Sequence, residues 1–459
     1  MLLNILLIFH TFLSAKKSIW GLCSLLGIRL LIPIFVRADY LNISFNTLAL
    51  LILTIFTLIR FKDDIYNILT KSIEFKYIIH FILGLVLLTF FAVIPLSYQL
   101  KSLTQFFITE LIPALLVLVI IRSKEDLKLV LYTLIFCSAI NAVYGFITLF
   151  LGANPYFQYF ILNYGGAAEF IYDFSDISNR AKGGLTNYAA GLTSGGPLIW
   201  SQLSLLLGLY FFCFPKTINK KVSTILALTL FANCFLTGQR SSFFAFTLVL
   251  CYLYISKINL KKIVISILLV ITSFIILESF PQLQGIKKNI YSTFLFFDDS
   301  IAQKNNIGGS SMELRLMQTN ATLETLSEYP IAGMGEGYPK FMSEKRGGIV
   351  DPIMAGYESI FFRVGWCSGI TGLIIWTIFL CRIYKIIQIP IKQIKANRKA
   401  FWSGYIISCL ATGIQSTFFM FLILVILFRK ENQYMIYPEL TKKRQEKNRK
   451  TQRVTNQLS

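Results

Sequence analysis

Apolar residues along this chain gather into long runs, and polar residues are confined mainly to the connections between them. The segments from Tyr77 to Gln99, Leu129 to Gly152, Asn187 to Phe214 and Ile263 to Phe280 are typical. Each reaches the roughly 17 to 25 residues that a helix needs to cross a bilayer, and a soluble core does not account for so many. The runs predict helices near residues 18–36, 43–60, 77–97, 104–121, 129–151, 187–212, 222–238, 241–256, 263–280 and 358–380. The stretch 400–428 is too long for one untilted helix and predicts two short ones, broken near Gly413. The expected fold class is therefore all-α, a polytopic integral membrane protein of about 12 transmembrane helices. Met1 to Ala15 is read as either an additional short span or an interfacial helix. It lacks a basic leader and a small-residue cleavage site, so a cleaved signal peptide is not expected.

Two polar segments are long. Ala153 to about Thr186 is rich in Gly, Asn and Tyr, and Pro281 to about Tyr357 is the largest hydrophilic stretch of the chain. Connections beyond about 15 residues are usually functional or disordered. Within the second, Met312, Leu316, Thr319, Leu323 and Leu326 recur at helical spacing. They predict a helix from Ser311 to Tyr329 with one apolar face, suited to the membrane surface or to capping the bundle. The expected organisation is residues 1–280 as N-terminal transmembrane helices with an outer loop near 153–186, then 281–357 as a large extracytoplasmic loop. Residues 358–428 follow as C-terminal transmembrane helices, and 429–459 as a basic cytoplasmic tail. No convincing internal repeat is present.

Charge fixes the orientation. Only 15% of the 459 residues are charged, against about 25% in soluble domains. A net charge of +21 would suggest nucleic acid in a soluble protein, but its distribution excludes that partner. Lys16 and Lys17, Arg60 to Lys76, Arg122 to Lys128, Lys216 to Lys221, Lys257 to Lys262, Arg382 to Lys399 and the tail from Arg429 to Arg453 fall at every second connection. Cytoplasmic loops retain Lys and Arg, so these connections and both termini are expected inside. All eight cysteines lie in or beside apolar runs without CxxC spacing and read as small buried hydrophobes. The two histidines, His10 and His80, also sit in apolar stretches, so no metal site is expected.

The remaining charges sit outside or within spans and are the candidates for chemistry. Arg180 lies in Asn179-Arg180-Ala181-Lys182-Gly183-Gly184 just before a span, and is either a headgroup contact or an anion ligand. Arg240, in Thr237-Gly238-Gln239-Arg240-Ser241-Ser242, opens a helix where the dipole opposes a cation. An anionic ligand there would relieve that cost; the alternative is an anchor for the turn, with the serines as caps. Arg315 adjoins the apolar stripe of the loop helix. Glu358 and Arg363 open the tenth span, where ionisable residues are functional suspects, but five residues apart they are poor partners on one helix face. The glycines of Tyr329-Pro330-Ile331-Ala332-Gly333-Met334-Gly335-Glu336-Gly337 follow no strand and precede no Walker lysine, so a flexible turn is expected rather than a phosphate loop.

Taken in order, these stretches resemble the O-antigen polymerase and O-antigen ligase superfamily of bacterial membrane glycosyltransferases. The resemblance runs over residues 170 to 380 or so. It rests on Arg180 with its glycines, Gly238-Gln239-Arg240-Ser241 in place of a Ser-Arg-Gly turn, the helix with Arg315, Tyr329-Pro330 with Gly333 to Gly337, and Gly365, Gly369 and Gly372 in the returning helix. Ligases of this family usually carry a His-Asn pair where the chain returns to the membrane; here Tyr357-Glu358-Ser359 stands instead. That departure implies a polymerase-type member. The resemblance further implies the bacterial cytoplasmic (inner) membrane, and as partners an undecaprenyl-pyrophosphate-linked oligosaccharide, membrane lipids and room for a chain-length regulator. No cofactor and no metal are implied. Glu358, Arg315 and Arg240 become the expected catalytic residues, with Arg180, Arg240, Arg315 and Arg363 on the pyrophosphate. The rivals are a ligase moving glycan onto lipid A core or protein, and a flippase for the lipid-linked sugar. A flippase tends to have repeated halves and broken helices at midplane, neither of which is evident.

Overall fold

The computed structural model describes residues 2–38, 43–164, 187–193, 197–213, 218–255, 290, 312–349, 353, 357–389, 391–413 and 417–436. Arg180, the run 263–280 and the tail beyond 436 lie outside these residues. In order the helices are α1 (Leu2–Lys16), α2 (Ser18–Leu31), α3 (Phe45–Arg60), α4 (Lys62–Lys71), α5 (Ile73–Leu88), α6 (Leu96–Phe106), α7 (Ile112–Ile120), α8 (Lys124–Leu151) and α9 (Pro155–Tyr164). They continue as α10 (Pro197–Phe212), α11 (Lys220–Leu236), α12 (Arg240–Ile255), α13 (Met312–Glu328), α14 (Tyr338–Lys345), α15 (Ile360–Ile387), α16 (Lys392–Thr412) and α17 (Phe418–Glu431). Beyond them the described residues hold a two-stranded pairing, Arg37–Ala38 (β1) antiparallel with Ile43–Ser44 (β2), and two π-helical turns. One of those turns, Phe107–Leu111, joins α6 to α7.

Local chemistry sets the boundaries. Ser123 and Asp126 form a capping box that opens α8, and Gly152, at φ 64°, closes it. Ser72 caps α5 and Ser359 caps α15 through their hydroxyls. The expected break of 400–428 falls at Gly413, between α16 and α17. Three helices were not expected: α9, α14, and α4, which turns 101° away from α3 at the basic side. Of the eight cysteines, Cys251 and Cys381 are exposed rather than buried.

Among the described residues, Leu96–Ile120, Lys124–Leu151 and Ile360–Ile387 are each long and apolar enough to cross a membrane. Several shorter apolar helices accompany them. This establishes an all-helical, polytopic membrane-associated protein; the figure of about 12 spans stands as a proposal. Leu129, Tyr132, Phe136, Val143, Ile147 and Phe150 form an exposed apolar stripe along α8, which water would penalise and acyl chains accept. By contrast α17 is buried at every residue from Phe418 to Phe428. A helix apolar on all sides belongs at the centre, and aromatic contacts hold it there: Phe418 with Trp376 and Phe106, Phe421 with Tyr405 and Phe401, Phe428 with Tyr210. Hereafter "outer" denotes the bundle end opposite the Lys/Arg-rich connections.

Candidate functional site

The loop helix appears where its spacing placed it, with Leu316 and Leu323 turned away from the bundle. Leu316 and Leu323 are 52% and 53% exposed, while Gln318, Thr322 and Thr325 are buried. The buried threonines return their hydroxyls to the α13 backbone, Thr322 to Gln318 O at 2.6 Å and Thr325 to Ala321 O at 2.8 Å. A Cβ built on Gly365 of α15 would stand 2.9 Å from the Thr322 methyl. Small residues allow this close approach between helices, as is common in membranes. The leucines are left to the outside, where a bilayer tolerates them.

That packing brings Arg315 to Glu358. Their side chains lie 3.5 Å apart, 31% and 26% exposed. The Arg315 guanidinium also donates to Ala411 O of α16 at 3.3 Å. Gln318 clamps the chain on either side: its Oε1 accepts from the Glu358 N–H at 3.1 Å and its Nε2 donates to Ile353 O at 2.9 Å. Glu358 therefore stands just ahead of the Ser359 cap, with its backbone held by the helix that carries Arg315.

Neighbouring helix ends are tied into the same cluster. Gln202 of α10 donates to Thr412 Oγ1 at 2.6 Å and Gly413 O at 3.2 Å, and accepts from Thr417 at 3.2 Å. Ser242, expected as a cap, instead meets Ser201 at 3.0 Å. Arg240 opens α12 two residues earlier, half-buried, following Gly238 at φ 70°. The outer ends of α10, α12, α13, α15 and α16 thus converge, with Arg240 in the first turn of one of them.

Arg363 belongs to a different wall. It lines a cavity of about 250 Å³ with Tyr357, Glu336, Lys101 and Lys340, while Glu358 takes Arg315 as its partner. Burial pushes the Tyr357 phenol well above its ordinary range, so it is a neutral hydroxyl at physiological pH, 3.7 Å from Cys367 Sγ. The glycine-rich segment is a docked turn rather than a free one. The Met334 and Gly335 N–H groups donate to Trp366 O and Cys367 O at 2.8 and 3.0 Å, and Ile370 N–H donates to Pro330 O at 2.8 Å. Gly369, at φ 65° and ψ −165°, breaks α15 to receive them. A Cβ there would stand 2.7 Å from Pro330 O, so both space and dihedral demand glycine. With those N–H groups committed to α15, the turn is no phosphate cradle.

Of the expected site residues, the structure joins Arg315 and Glu358, puts Arg240 at an adjoining helix end, and turns Arg363 towards its own cavity. Arg180 lies outside the described residues. Gln318, Gln202 and Tyr357 were not singled out from sequence; neutral polar residues carry no periodic or charge signal that would mark them.

Residues 225–377 match a family model described as O-antigen ligase. The matched stretch runs from α11 into α15 and contains Arg240, Arg315, Glu358 and Arg363. It supports the superfamily resemblance drawn from the motifs, and covers about a third of the chain. No curated protein matches the chain.

Proposed function

We propose, on the premise that residues 225–377 form an O-antigen ligase domain of the ligase and polymerase superfamily, that this chain polymerises lipid-linked oligosaccharide repeats. The substrates are repeats carried on undecaprenyl pyrophosphate, and the reaction faces the outside of the bacterial cytoplasmic membrane, with both termini inside. The Arg315–Glu358 pair carries the proposal: a base and a phosphate-binding cation stand side by side at the outer helix ends, partly open to solvent.

In the proposed step a hydroxyl of one lipid-linked repeat attacks the reducing-end carbon of the growing chain. Glu358 takes the hydroxyl proton as the new C–O bond forms, and later releases it to water. The bond from that carbon to the pyrophosphate oxygen breaks, and its electron pair leaves with the diphosphate. Arg315, with Arg240 and Arg180, neutralises the charge that develops there. Arginine suits this role because its planar fork pairs with two phosphate oxygens.

Polymerisation is favoured over ligation by Glu358 itself, which stands where ligases of this family carry a histidine. Both histidines are engaged elsewhere. His10 Nε2 bonds Ala49 O at 2.8 Å, and His80 lies 3.5 Å from Arg382, beside the basic end. Ligation is the second reading, and the description of the matching family supports it. A gel of surface glycans from a strain lacking the protein separates them. Collapse of the ladder to carriers bearing one repeat supports the polymerase; long chains accumulating on the lipid carrier support the ligase; an unchanged ladder contradicts both for that glycan.

A further inference from the structure

A second basic cavity lies outside the Arg315–Glu358 cluster, and nothing in the proposed step uses it. It measures about 970 Å³, and among the described residues four cations line it: Arg29 near the outer end of α2, Arg37 of β1, Lys101 of α6 and Lys340 of α14. Among the described residues one carboxylate, Glu110, joins them. Both Glu110 oxygens are engaged locally, accepting from the Phe419 N–H at 2.8 Å and the Thr109 hydroxyl at 3.3 Å. Arg29 is only 8% exposed. One of its terminal nitrogens donates to Thr109 O at 2.9 Å, and its guanidinium sits 4.4 Å from the Phe419 ring centre. Its Nε is buried with no hydrogen-bond partner among the described residues. Four cations against one carboxylate, Glu110, which also interacts electrostatically with Arg29, leave this open cavity with a net positive lining suited to an anion.

Position narrows the ligand. Lys101, Gln105 and Lys340 also line the Arg363 cavity, whose Tyr357 wall directly precedes Glu358. The cavity is therefore set apart from the base, and shares walls with the Arg363 cavity. Polymerisation joins two lipid-linked molecules, and the acceptor's diphosphate lies one repeat unit away from the hydroxyl that attacks. We propose that the Arg29–Lys101–Lys340 cavity binds the diphosphate of the acceptor repeat, while the Arg315 cluster serves the departing diphosphate. This rests on the polymerase reading for the identity of the ligand. The cation site itself lies, Lys340 apart, in the N-terminal part of the chain that the family model does not match.

The test is an amine-acylation footprint of the full-length protein in phosphatidylcholine nanodiscs, read by mass spectrometry with and without inorganic pyrophosphate. Lys101 and Lys340 are exposed enough to react, and Lys62 on α4, also exposed, reports general ionic effects. The expected result is protection of Lys101 and Lys340 by tenfold or more, none at Lys62, and loss of protection in Arg29→Gln. A parallel sample in phosphatidylglycerol nanodiscs without pyrophosphate separates a lipid headgroup from a diphosphate. No protection, equal protection at Lys62, or protection reproduced by phosphatidylglycerol alone would each overturn the proposal, and the wild-type footprint decides even where Arg29→Gln does not fold. Since binding is read directly, a strain result against polymerisation leaves the anion site standing and removes only its assignment to the acceptor.

Discussion

Two arginine–glutamate pairs stand at opposite ends of this bundle. At the basic end Arg398 and Glu431 meet at 2.9 Å with 2% and 4% of their side chains exposed. Arg398 also donates to Asn432 Oδ1 at 2.7 Å and Ile387 O at 3.2 Å, and lies over the Phe428 ring. It fastens α15, α16 and the end of α17 together. At the outer end Arg315 and Glu358 are 3.5 Å apart and each more than a quarter exposed. The residue types are the same; the surroundings differ. A pair sealed from water and locked by further hydrogen bonds is structural, and losing one partner strands a buried charge. A longer, half-open pair contributes little to stability and leaves a carboxylate and a guanidinium free to meet a substrate.

Glu358→Gln gives the largest expected effect. Removing a general base is expected to lower chain lengthening by about 10²- to 10⁴-fold, with the melting temperature unchanged; a glycan ladder beside a thermal denaturation curve checks both. Arg398→Ala should do the reverse. It is expected to cost about 3 to 5 kcal/mol of stability, seen as loss of monodisperse protein on size exclusion, while the molecules that do fold stay active. Replacing both partners, as Arg398→Met with Glu431→Leu, should restore the folded yield, because a well-packed apolar pair is often as stable as the ion pair it replaces. The mildest is Arg315→Lys, which keeps the charge and loses the fork. Activity should drop about tenfold, equivalent to roughly 1.4 kcal/mol in the transition state. Stability should move by less than about 1 kcal/mol. Equal losses of stability at the two ends would erase the distinction between the pairs.

The positions of most helices were legible in the sequence because runs of apolar residues are local signals. The break at Gly413 and the loop helix over 312–328 are examples. The faces of that helix were not legible. Periodicity separates leucines from threonines but does not say which side meets the protein, and around a membrane bundle the apolar side also has a solvent. The docking of the glycine turn into the break at Gly369 was hidden for another reason. It depends on hydrogen bonds between segments more than thirty residues apart. Arg29 and Glu110, single ionisable residues in apolar runs, carried the signal that marks intramembrane function. Their meeting with Lys101 and Lys340 around one cavity required the fold.

The central claim is tested most directly with purified protein in liposomes, given a single undecaprenyl-pyrophosphate-linked repeat as the sole sugar substrate, with product length read on a gel. The account predicts a ladder of multimers with the wild-type chain and only the single repeat with Glu358→Gln. Transfer that occurs only when a lipid A core or protein acceptor is added, or a ladder that survives Glu358→Gln, would contradict it.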